Sequence, residues 1–142
     1  MIKDQLVDKL KQAMKAQDKL RLEALRYGLS LIKNSEIDKH GELTDEEVVK
    51  ILRSEVKKRD EAIEQFKLGG RQDLVIEEQA KVMVLKELLP AAMSEAEVEK
   101  VVDEVMVGGM SDFGGAMKAV MGKLAGRADG AIVAAMVKRK LA

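Results

Sequence analysis

The chain has 142 residues, of which 46% are apolar and 35% charged, with 25 basic and 25 acidic side chains balancing to zero. That apolar share is enough for a packed core, so disorder is excluded as the default, and the zero net charge gives no support to a nucleic-acid binder that is basic all over. Two Phe, one Tyr and no Trp argue against sheet proteins and single-strand binders that rely on stacking, while the abundant Leu, Ala, Met, Lys and Glu are strong helix formers.

Taken in chain order, the pattern predicts an all-α protein of seven helices. The first runs from about residue 2 to 16, with Leu6, Leu10, Ala13 and Met14 on one stripe. Asp18 is placed to cap a second helix over 19–39, whose apolar line is Leu22, Leu25, Leu29 and Ile32; Leu31 and Ile37 extend the cover to other faces. His40-Gly41 ends it, with Gly41 expected to supply the left-handed residue. Thr44 and Glu47 form a capping box for a third helix to about Leu68, buried along Val48, Leu52, Val56, Ile63 and Phe66. Its charged residues Glu55, Lys58, Arg59, Glu61 and Glu64 alternate in sign, as on a solvated face with weak i, i+4 pairs. Gly69-Gly70 stops it. A fourth helix, about 72–88, carries Ile76, Ala80, Met83 and Leu88 near one another.

Pro90, the one proline, disfavours helix at Leu89 and marks a domain boundary. The expected division is an N-terminal bundle of about four helices over 1–90 and a small three-helix domain over 94–142. Ser94 with Glu97 opens the fifth helix, about 95–107; the sixth is expected over 113–124, capped by Ser111 or Asp112, and the seventh over 130–141, capped by Asp129. Gly114, Gly115 and Gly122 weaken the sixth helix by roughly 1 kcal/mol each relative to Ala. Such glycines are retained where backbones or a partner come close. Met106, Met110, Met117, Met121 and Met136 are expected to fill a small core rather than to line a groove for a partner helix.

Chemistry is harder to find. With no Cys, disulfides, thiolate metal sites and cysteine nucleophiles are excluded. The single His40 rules out a multi-His metal site, and it lies on an exposed-looking loop. Ser30 and Lys33 are near each other on one helix, with nothing to activate them as a nucleophile and base. No glycine motif follows a strand, and no cofactor is indicated. The charged start (Lys3, Asp4, Asp8, Lys9) is unlike a signal peptide, and no stretch reaches the roughly 18 apolar residues of a membrane span. The expectation is a cytoplasmic protein without a catalytic constellation of its own.

One stretch is locally basic. From Met110 onward, Lys118, Lys123, Arg127, Lys138, Arg139 and Lys140 stand against Asp112 and Asp129, six against two. A basic helix-loop-helix corner of this kind contacts phosphates without reading bases. The alternative is that Lys138 to Lys140 merely complement the dipole of the last helix.

Several motifs occur together and in order: Lys19-Leu-Arg-Leu-Glu-Ala-Leu-Arg26, Ile32-Lys-Asn-Ser-Glu-Ile-Asp-Lys39, Glu61-Ala-Ile-Glu-Gln-Phe66, Gly70-Arg71, Leu88-Leu-Pro90, and a Met117 to Gly130 run ending Gly-Arg-Ala-Asp-Gly. With these the sequence resembles the YqeY family of small bacterial proteins along nearly its whole length. Its C-terminal part is similar to the tail domain shared with the B subunit of the tRNA-dependent glutamine amidotransferase (the GatB/YqeY domain). The resemblance implies a tRNA- or structured-RNA-associated binding or adaptor protein, with Lys123, Arg127 and Asp129 at motif positions. The alternative it implies is an accessory factor in glutamine-dependent amide transfer (carbon-nitrogen ligase chemistry with glutamine as amido-N-donor), partnered with amidotransferase or aminoacyl-tRNA machinery. The chain is too short for the catalytic domain of that enzyme, so shared tail need not mean shared chemistry. The sequence departs from the family where Gly115 and Ala125 stand in place of frequent Lys, and Gly122 in place of Pro.

Overall fold

The computed structural model describes residues 1–109 and 111–142. Among the described residues there are seven α-helices and no strand. They are α1 (Ile2–Ala16), α2 (Lys19–Lys39), α3 (Asp45–Leu68), α4 (Gln72–Lys86), α5 (Glu95–Val107), α6 (Phe113–Leu124) and α7 (Gly130–Leu141). The chain divides into two compact units, Met1–Leu89 and Pro90–Ala142.

Five of the seven helices, all but α1 and α4, start where a short polar side chain satisfies one of their first free N–H groups. Asp18 accepts from the Arg21 amide, and Thr44 and Glu47 form a full reciprocal capping box. Ser94, Asp112 and Asp129 accept from the amides of Glu97, Gly115 and Ala131. At Ser94 only this one arm of the expected box is made. The C-terminus of α2 corrects one expectation: His40, not Gly41, takes the left-handed conformation, at φ 62°. Its amide returns to the carbonyls of Glu36 and Ile37, so the cap geometry is kept with a residue that bears its modest steric cost.

In the first unit α1 packs on α2, α3 on α4, and α2 on α4. Leu6, Leu25, Ile32, Leu52 and Leu85 are fully enclosed, each side chain contributing roughly 1.5–3 kcal/mol by burial. Gly28 lies where these helices converge: a Cβ there would stand 3.4 to 3.6 Å from the tips of Leu85, Leu52 and Leu6. The buried side of α4 is Val75, Val82, Val84 and Leu85. Of the expected set only Leu88 is buried, in the turn after the helix; Ile76 and Met83 are 61% and 69% exposed. Apolar residues lie on every side of α4, interleaved with polar ones, so periodicity alone did not choose its inner face. It also ends at Lys86, two residues early, the chain leaving through tight turns at Leu88 and Leu89.

In the second unit α5, α6 and α7 pack around Val98, Val102, Val120, Leu124, Val133 and Val137. Met136 is buried, and Met106, Met117 and Met121 pack partly buried against this core. Met136 thus fills the core as expected, while the other three cover its edge and stay partly exposed. Met110, the fifth of the set, lies outside the described residues.

Candidate nucleic-acid interface

The expected basic surface sits on α6, α7 and the turn between them. Ala125 at φ 49° and Gly126 at φ 78° reverse the chain, and Asp129 Oδ1 accepts from the Ala131 amide at 2.8 Å to start α7. α7 returns antiparallel, since Lys138 Nζ near its end lies 5.6 Å from the Phe113 ring centroid at the start of α6. Phe113 and Lys123 are ten residues apart on one helix, or about 15 Å. The six candidates therefore occupy different places: Lys123 and Arg127 at one end of the hairpin, Lys118 midway, and Lys138, Arg139 and Lys140 towards the other.

Their surroundings differ too. Arg127 Nε donates to the Ala91 carbonyl at 3.1 Å, and the Arg127 carbonyl accepts from the Met93 amide at 2.9 Å. Arg127 thus clips the segment before α5 onto the α6–α7 turn. Lys140 Nζ bonds Glu99 Oε1 at 3.0 Å and Asp103 Oδ1 at 3.1 Å. Hydrogen bonds to Glu99 and Asp103 hold its ammonium above the ordinary lysine value, so Lys140 ties α7 to α5. Lys138 rests over an aromatic face. Lys118, Lys123 and Arg139 are exposed and make no ion pair among the described residues. The unit as a whole is neutral, because α5 carries Glu95, Glu97, Glu99, Asp103 and Glu104 against Lys100 alone.

The sequence reading missed a second charged cluster. Glu55 and Lys81 are 8% and 7% exposed. Arg59 bridges Glu55 at 3.1 Å on α3 and Glu78 at 2.9 Å on α4. Its guanidinium lies 5.2 Å from the centroid of Tyr27 on α2. Lys81 meets Glu23 and Glu77 at 3.2 Å and Glu78 at 3.7 Å. Burial opposes the Lys81 charge, yet hydrogen bonds to Glu77 and Glu23 outweigh it and raise its pKa. The Glu55–Arg59 spacing was the available signal; it does not distinguish a solvated pair from one covered by a neighbouring helix.

The Ser30 hydroxyl donates to the Tyr27 carbonyl at 2.7 Å, Lys33 is exposed, and His40 closes α2. Among the described residues no group of three or more His, Cys, Asp or Glu side chains is arranged to hold a metal. Nor is any described helix long and apolar enough to cross a membrane.

Comparison with known proteins places the chain. It is 40% identical over 101 residues to "Altered inheritance of mitochondria protein 41, mitochondrial" of Lachancea thermotolerans, covering 68% of this chain and 54% of that protein. The protein of the same name in Saccharomyces cerevisiae is 36% identical over 81 residues, 56% of this chain and 44% of its own. A Schizosaccharomyces pombe protein described as uncharacterized is 34% identical over 82 residues, 58% of this chain and 67% of its own. The chain thus spans about half the length of the mitochondrial relatives it matches. The model of the Yqey-like proteins matches residues 3–141, essentially end to end, and the chain belongs to the YqeY family.

Proposed function

We propose that the chain is a non-catalytic RNA-associated module whose C-terminal unit, a small three-helix tail domain, contacts the phosphate backbone of tRNA or another structured RNA. Three exposed cations carry this reading: Lys118, Lys123 and Arg139 project from α6 and α7 without an ion-pair partner among the described residues. Cations already desolvated by carboxylates would have to break those pairs to meet a phosphate; these three do not. The similarity of this unit to the amidotransferase tail points to the same class of ligand. A cytoplasmic location belongs to the proposal, while the yeast relatives carry "mitochondrial" in their names.

The test replaces Lys118, Lys123 and Arg139 together with Gln and titrates binding of bulk tRNA across salt. Each lost phosphate contact lowers the slope of log affinity against log salt by about 0.7 to 0.9, so the triple variant should lose about 2 to 3 from it. Affinity and slope equal to wild type would sink the reading. Arg127 stays in place in this experiment, because its loss would free Ala91 as well as remove a charge.

A further inference from the structure

Two of the signature runs, Lys19–Arg26 and Ile32–Lys39, lie on α2, outside the tail. Packing accounts for one side of them, since Ala24, Leu25, Gly28 and Ile32 are buried. The opposite side carries Lys19, Arg26 and Lys33, all exposed. Their spacing is i, i+7, i+14, which drifts only about 20° per step and places the three on one line roughly 21 Å long. Ser30 falls on the same line, between Arg26 and Lys33.

The pairing of α2 is one-sided. Its acidic residues are mostly engaged: Glu23 by Lys81 at 3.2 Å, Glu36 by Lys3 at 2.6 Å, and Asp18 by the Arg21 amide. Among its cations, Arg21 and Lys39 are paired with Glu87 and Glu47. Lys19, Arg26 and Lys33 make no ion pair among the described residues, against a single unpaired carboxylate, Asp38. The outer face of α2 is therefore positive although the unit is neutral. A shallow groove beside the row is bordered by Leu22 and Tyr27, and Arg59, itself pinned by Glu55 and Glu78, holds the Tyr27 ring.

We infer that the row Lys19–Arg26–Lys33 on α2 is a second phosphate-contacting surface, for the backbone of a structured RNA. The inference rests on the RNA-binding reading of the chain but needs none of the tail cations. A protein partner would require a desolvated apolar or aromatic centre with charges at its rim. Here the centre of the row is Arg26, whose guanidinium suits phosphate oxygens, and Ile37 stands only at its end.

The test uses the full chain with Lys19, Arg26 and Lys33 replaced by Gln, alongside the tail triple variant, with bulk tRNA as the probe. Tyr27 is the only tyrosine, so incorporating fluorotyrosine gives one fluorine resonance beside the row. The α2 variant should melt close to wild type, since its three side chains make no hydrogen bond or ion pair among the described residues. Its salt slope should fall by about 2 to 3, and tRNA should shift the Tyr27 resonance in wild type but not in this variant. Loss of binding in the α2 variant alone would support this surface and overturn the tail assignment. Loss in the tail variant alone, with an unmoved Tyr27 resonance, would overturn this surface and leave the tail assignment standing. A wild-type chain that ignores tRNA at low salt, or that prefers a polyglutamate peptide, overturns both.

Discussion

The glycines of α6 show how one substitution changes meaning with its neighbours. Gly122 is exposed in the helix, and a Cβ added there would meet nothing within 4 Å. Gly122→Ala should therefore stabilise the protein by about 1 kcal/mol through helix propensity alone. Gly115 occupies the same helix, but its added Cβ would lie 2.9 Å from Asp112 Oδ1. Asp112 is the cap, bonded to the Gly115 amide at 2.7 Å. Moving that carboxylate aside forfeits a cap typically worth about 1 kcal/mol, which cancels the propensity gain. Urea unfolding of the two variants should separate them by about 1 kcal/mol, with Gly115→Ala no more stable than wild type. Equal stabilisation by both would mean that the Asp112 cap contributes nothing. Neither the crowding at Gly115 nor the left-handed turn taken by His40 was legible beforehand, because each depends on where a side chain or carbonyl lands.

At the scale of the helix, much was legible and the reasons are local. Asp18, Thr44 with Glu47, Ser94 and Asp129 announce helix starts because capping is a contact between residues two or three apart. The inner face of α3 was also readable, since its apolar residues keep to one side; on α1 Leu6 and Ala13 turn inward as expected, while Met14 is 50% exposed. Long-range partners escaped. Glu55 and Arg59 look like a surface pair until Glu78 and Lys81 of α4 cover them, and Lys140 looks like a free tail cation until Glu99 and Asp103 meet it. Two carboxylates at helix junctions give a pH dependence. Glu36 accepts from Lys3 of α1 and from the Leu43 amide; Glu87, just past α4, meets Arg21 of α2 and Lys9 of α1. The Lys3 hydrogen bond, then the Leu43 amide, hold the Glu36 carboxyl below its ordinary value, and the Arg21 hydrogen bond does so for Glu87. A depressed folded-state pKa means that the unfolded chain takes up the proton first as pH falls. The stability from these groups is complete above the usual glutamate value of about 4.3 and is lost as pH drops through the lower folded values. Melting temperature should fall as pH drops below about 4.3. A Glu36→Gln, Glu87→Gln variant should melt lower at pH 7 and lose less on acidification. An acid slope unchanged by the double substitution would show that these junctions do not set it.

Across the whole molecule, the two units are neutral separately, with seven acidic and seven basic residues in 90–142 and the remainder balanced in 1–89. Neither unit draws a polyanion by net charge, so any attraction comes from unpaired local cations and must be strongly salt-dependent. The units differ in their cores. Among the described residues the first encloses large side chains such as Leu6, Leu25, Ile32, Leu52 and Leu85, while the second is built mostly of valines closed by half-buried methionines. A 53-residue unit (Pro90–Ala142) without disulfides buries a smaller fraction of its surface and is only marginally stable. Its helix α6 carries the further cost of Gly122. We therefore expect unfolding in two steps, the second unit first. The chain itself supplies the means to see this, because its one tyrosine, Tyr27, lies in the first unit and there is no Trp. Tyrosine fluorescence follows the first unit alone, whereas far-ultraviolet circular dichroism follows the helices of both. Dichroism should start to fall at lower urea than fluorescence, by an amount matching the helices of residues 90–142, and the two curves should converge only at the second midpoint. Coincident curves would instead mean one cooperative transition, with the small valine core drawing its stability from the rest of the chain.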